Sequence, residues 1–130
     1  MKKTRNNSEE SQTETVEIDN KQRIESRFGI EQIKKWKLAF KNKPLNYILV
    51  EDKMAALRPI TSEDVASYTA ALTDQSEGLD KAFVNSARIL LNELWLDGDN
   101  ELKDEDDYFS SVMLQIQGII EVKKTIVLKF

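Results

Sequence analysis

The stretch Leu45-Asn46-Tyr47-Ile48-Leu49-Val50-Glu51-Asp52-Lys53-Met54-Ala55-Ala56-Leu57-Arg58-Pro59 decides whether the chain is all-helical or mixed. Its first six residues include Tyr, Ile and Val, which fit a pleated, half-buried surface. Glu51-Asp52-Lys53 makes a polar break, and Met54 to Arg58 resumes an apolar run that Pro59 closes. Two short apolar runs around a brief polar link read as a β-hairpin, here without an Asn-Gly or Asp-Gly turn. A two-stranded hairpin is marginal alone and has to pack on other elements.

Those elements are helices. Upstream, Asn20 offers a cap, Ile24 and Phe28 stand four apart, and Gly29 ends the segment. Ile30, Ile33, Trp36 and Phe40 then share one helical face until Pro44 stops it. Downstream, Thr61 or Ser62 can cap a helix, with Glu63 and Asp64 well placed in its first turn and Val65, Tyr68 and Leu72 at helical spacing. Residues 74–78 form a loop. Phe83, Val84, Ala87, Leu90, Leu91 and Leu94 mark a helix over 80–95, and residues 96–100 form a turn. A last helix starts near Asp104 with Tyr108, Phe109, Met113, Ile116, Ile119 and Ile120 inward; Thr125 to Phe130 prolongs it, frays, or forms a strand, since Thr-Ile-Val has β preference. The expected class is therefore α+β, mostly helical, with about four helices and a small β-hairpin. Residues 1–19 hold only Val16 and Ile18 as aliphatics after Met1, too little to offset ordering entropy. They are expected to be a disordered N-terminal arm ahead of a single helix-rich domain over 20–130.

The chain has no cysteine and no histidine. Disulfides and thiolate metal sites are thereby excluded, as are histidine-activated nucleophiles and ordinary zinc chemistry. Net charge is −4, unevenly distributed. Residues 29–59 carry seven basic against three acidic side chains, and residues 60–122 carry three against fourteen. Such polarity can steer encounter with a charged partner or with another copy of the chain. No apolar run approaches the roughly 20 residues needed to cross a bilayer, so no membrane partner is expected.

Each motif that suggests chemistry has a plainer explanation. A calcium loop starting at Asp97 would place Asp99 and Glu101 at its third and fifth positions. It would then need Gly and a bidentate Glu where Leu102 and Tyr108 stand. Asp104 to Asp107 instead suit a first helical turn. Asp106 and Asp107 are adjacent carboxylates with nothing to separate their acidities, so they make no acid–base pair. Lys34, Lys35, Lys37, Lys41 and Lys43 lie beside Trp36 and Phe40, a mixture that can bind single-stranded nucleic acid. The aromatics also fit the inward face of an amphipathic helix, and the chain is acidic overall, so nucleic acid is not the expected partner. Trp95 reads as core. No catalytic, cofactor-binding or metal residue is named, and no cofactor is expected.

Three segments carry a resemblance: Leu57-Arg58-Pro59, then Leu90-Leu91-Asn92-Glu93-Leu94-Trp95-Leu96-Asp97-Gly98-Asp99, then Ile119-Ile120-Glu121-Val122-Lys123. Together they resemble small structural and assembly proteins of tailed phages infecting Bacteroidetes-type bacteria. The layout over roughly residues 45–124 is also similar to tail-assembly chaperones, with a strand running into an Arg-Pro helix entry and then acidic helices. What the resemblance implies is a non-enzymatic virion protein assembled in the host cytoplasm, with other phage structural proteins (capsid or tail subunits) as partners. An accessory head subunit is the expected role. A tail-assembly chaperone that leaves the particle, or a small regulator using the lysine-rich helix, are the alternatives.

Overall fold

In the computed structural model, the description covers residues 18–127, with side chains up to residue 122. These residues divide into two compact units, with the boundary after Lys41. The expected disordered arm lies outside the described residues, apart from Ile18 and Asp19, which are already helical.

The first unit contains two helices, α1 (residues 18–28) and α2 (Ile30–Ala39). Gly29 separates them at φ 86, a left-handed conformation that costs glycine little. Phe28 meets Trp36 edge-on with centroids 5.6 Å apart. The Arg27 guanidinium lies 5.1 Å from the Phe28 ring centroid. The helical spacing of Ile30, Ile33, Trp36 and Phe40 holds, yet α2 buries none of its residues. Lys41 leaves the helix at φ 57.

The second unit is built on a three-stranded antiparallel sheet, β1 (Asn46–Val50), β2 (Lys53–Leu57) and β3 (Trp95–Gly98), in the order β1-β2-β3. The expected hairpin is β1–β2, and its turn is tighter than the polar link implied. Lys53 pairs with Val50, leaving only Glu51 and Asp52 to turn the chain. Glu51 accordingly adopts φ 55. The third strand corrects the reading of residues 95–100 as a helix end followed by a turn. Trp95 takes extended dihedrals and pairs with Leu57, while Gly98 pairs with Ala55. The strand forms because Gly98 has no side chain. A Cβ there would stand 2.6 Å from the Ala55 Cα and from the Met54 carbonyl oxygen. As the central strand, β2 is covered on both faces, and Met54 through Leu57 are all buried.

The remaining helices are α3 (Ser62–Thr73), α4 (Leu79–Leu94), the single turn α5 (Glu101–Asp104) and α6 (Asp106–Val127). Six helices among the described residues replace the four or so expected. The excess comes partly from the acidic segment. Glu105 breaks it with extended dihedrals, so α5 and α6 are separate where one helix from Asp104 was expected. The core joins Ile48, Ala55 and Leu57 of the sheet to Leu90, Leu91 and Leu94 of α4, Leu102 of α5, and Phe109, Val112, Ile116 and Ile120 of α6. Each large apolar side chain buried there contributes about 1.5–3 kcal/mol relative to exposure. On α4, Ala82 and Ser86 occupy the buried row, whereas Phe83 and Val84 are only half-buried.

Every member of this core lies between residues 48 and 120. A chain starting at Asn42 should therefore melt cooperatively, with a midpoint within a few degrees of the full-length protein. Differential scanning calorimetry of the two chains checks this.

The edge strand β1 is guarded from α6. The Gln115 side-chain amide donates to the Leu49 carbonyl at 2.9 Å, and its oxygen accepts from the Leu49 N–H at 3.2 Å. Exposed strand edges template pairing with other chains. Gln115→Leu should cost about 1–2 kcal/mol. It should also raise the aggregation rate, as read by urea midpoints and light scattering.

Candidate functional site

The acidic segment that invites a metal reading is occupied by structural tasks. The Asp99 carboxylate accepts from the Met54 N–H at 2.9 Å, and the Asp99 N–H donates to the Met54 carbonyl at 2.9 Å. Lys53 pairs with Glu101 at 2.7 Å. That ammonium, through its hydrogen bond above all, holds the Glu101 carboxyl below its ordinary range. Lys103 places its ammonium 3.9 Å from the Trp95 ring centroid, so Trp95 is half-buried with a cation over it rather than enclosed. Arg88 reaches the Lys103 carbonyl at 2.9 Å and stacks over Phe109 at 4.3 Å. No group of three or more carboxylates among the described residues is arranged to hold a metal ion. Tyr108 stands at this end of the second unit. Burial first, and Glu51 and Asp52 next, push its phenol up.

The strand–helix junction holds a dense cluster of side-chain hydrogen bonds. Arg58 grips Asp64 through two bonds of 2.7 and 2.9 Å. Thr61 caps α3, accepting from the Asp64 N–H, while Asp64 accepts from the Thr61 N–H at 2.8 Å and the Thr61 hydroxyl at 3.0 Å. The expected cap is thus a full capping box. Burial pushes the Asp64 carboxyl up, but Arg58 and the two Thr61 donors outweigh it and hold the group below its ordinary value. Asp64 was legible as a first-turn carboxylate; its burial and its grip on Arg58 were not. All its acceptor capacity is spent internally, so the cluster fixes where α3 starts.

Two surfaces among the described residues expose several apolar side chains together. One is α2. Ile30 is 52% exposed, Ile33, Trp36 and Phe40 are only half-buried, and Lys34, Lys35, Lys37, Lys41 and Lys43 are all exposed. Lys34, Lys35 and Lys37 stand exposed on α2 beside its apolar face, Lys41 follows the helix, and Lys43 belongs to the second unit. Lys34 makes one loose contact with Glu31 at 3.9 Å.

The other surface belongs to the second unit. An open groove of about 590 Å³ runs between the start of β1 and the C-terminal half of α6, lined by Pro44, Tyr47, Ile60, Ile119 and Val122 among others. Beside it, Leu114 and Val122 are 70% and 61% exposed. The inward set read from the sequence had already left Leu114 out, and that omission was the available signal.

The arrangement offers apolar and charged surface for macromolecular contact. No helix among the described residues is long and apolar enough to cross a membrane. Compared with protein-family models, with curated proteins and with solved structures, the chain matches none.

Proposed function

We propose that this chain is a non-enzymatic phage virion protein, an accessory head subunit that works through protein–protein contacts. One observation carries the docking part of this reading: α2 has an apolar face with lysines beside it and buries none of its residues. A helix with such a stripe gains most of its stability from what it packs against. The phage assignment itself rests on the sequence resemblance. A tail-assembly chaperone is the second reading, favoured by the Leu57-Arg58-Pro59 entry and the acidic helices after it.

Quantitative mass spectrometry of purified particles, beside infected-cell lysate, tests the proposal. Tens to hundreds of copies per particle support a head subunit. Presence in cells with absence from particles overturns that role in favour of the chaperone. A chain acting instead as a nucleic-acid-binding regulator would bind single strands with an affinity falling steeply with salt.

A further inference from the structure

The most exposed side of α2 is not the one its aromatics occupy. Trp36 meets Phe28 of α1 edge-on, and Ile33, Trp36 and Phe40 are half-buried. Ile30, Lys34 and Leu38 follow one another at steps of four residues, so they form a single ridge, each step about 6 Å along the axis. This ridge is open: Ile30 is 52% exposed, Leu38 71%, and the Lys34 side chain 67%. Lys37 stands three residues after Lys34 and on the same side of the helix. Two aliphatic side chains about 12 Å apart therefore bracket an ammonium.

The charge around the ridge selects what covers it. Residues 18–41 hold seven basic and three acidic side chains. A second copy of these two helices would set two such excesses face to face, which like-charge repulsion opposes. Single-stranded nucleic acid accepts lysines but stacks its bases on aromatic faces, and here the aromatics lie on the half-buried side. An anionic bilayer takes an unbroken apolar stripe, and Lys34 interrupts this one. We propose that the ridge Ile30, Lys34, Leu38 packs on an acidic amphipathic helix of another protein. The groove of that helix receives Ile30 and Leu38, and its flanking Asp or Glu meets Lys34 and Lys37. Ridges at four-residue spacing are the ones that interdigitate when two helices pack. This inference rests on the docking reading of α2 and names the partner's chemistry.

Selection of a displayed library of helical peptides, randomised along one face, against the immobilised full chain tests it. Enriched peptides should carry Asp or Glu beside Leu, Ile or Val at steps of three and four. Their affinity should fall as salt screens the charges. I30S/L38S, which removes both aliphatic anchors, and K34E, which reverses the central charge, should each weaken binding of those peptides about tenfold or more. All three sites are exposed, so circular dichroism should be unchanged. Enriched peptides that are basic or uncharged overturn the inference, as do no enrichment at all and unchanged binding to the variants. Tighter binding of an oligothymidine strand, or of phosphatidylglycerol vesicles, than of the enriched peptides overturns it too. Absence of the chain from particles would instead remove the virion role and leave this contact standing.

Discussion

Gly98→Ala is expected to destabilise the 42–130 unit by about 3 kcal/mol, the largest fall in melting temperature expected of any single substitution here. The new methyl would meet backbone, with the Ala55 Cα and Met54 oxygen at 2.6 Å and the Ala55 Cβ at 2.8 Å. Backbone in the centre of a three-stranded sheet cannot step aside as a flexible side chain can. The central strand must shift, and with it the fully buried Ala55, Ala56 and Leu57. Overpacking of this kind costs about 3 kcal/mol. Total stabilities are about 5–15 kcal/mol, and in a domain this size each kcal/mol moves the melting temperature by about 4–8 °C. A fall of at least about 12 °C by calorimetry is therefore expected. Gly118→Ala is the internal control. That helical position has open space, so alanine should stabilise by about 0.5–1 kcal/mol.

Asp64→Ala should cost a comparable amount. The side chain is buried at 7% exposure, receives both arms of Arg58, and closes the α3 capping box. Deleting it leaves Arg58, whose side chain is only 22% exposed, with the Pro59 carbonyl and a 4.0 Å contact to Glu93, and opens the capping box. Losing one partner of such a pair costs about 3–5 kcal/mol when fully buried, so about 3 kcal/mol is expected here. The same cluster sets a pH dependence. The folded carboxyl is held below its ordinary value of 3.8, so its stabilising contribution is present above that value. That contribution is lost as pH falls through the lower folded value. Below about pH 4 the wild-type midpoint in urea should drop more steeply than that of Asp64→Asn, which has no carboxylate to titrate. Parallel curves would mean that Arg58 and Asp64 do not interact as described.

Helical spacing made most of the helices legible, because one apolar face at steps of three and four leaves little choice of structure. The hairpin was readable for the same reason, through two apolar runs and a short polar break. The third strand was hidden by its own composition. Leu96-Asp97-Gly98-Asp99 looks like a turn, and the close approach that makes it a strand is a property of Ala55 as much as of Gly98. A signal did exist on the partner side: Met54-Ala55-Ala56-Leu57 does not alternate, as a strand covered on both faces need not. The break at Glu105 had no such signal, since Asp104 to Asp107 suit a helix start wherever it falls.

Of the candidate surfaces, the lysine-flanked face of α2 was visible in the sequence, though it was read there as facing inward. That Ile33, Trp36 and Phe40 are only half-buried could not be read from their spacing. Gln115 was equally opaque. A glutamine within a long helix reads as solvated surface until Leu49, 66 residues earlier, is placed beside it. The acidic segment departs from the calcium pattern at Leu102 and Tyr108. Its use to tie β3 and α5 to Met54 and Lys53 rests on contacts across the sheet.

The central claim is that the chain works by presenting α2 to a protein partner. Incorporation of a full-length I33E/W36E variant into particles, counted by mass spectrometry against wild type, tests it most directly. Neither residue belongs to the core of the 42–130 unit, so melting of that unit should be unchanged. The account predicts that copies per particle fall about tenfold or more. Incorporation at the wild-type level, with α2 carrying two carboxylates on its apolar face, would contradict it.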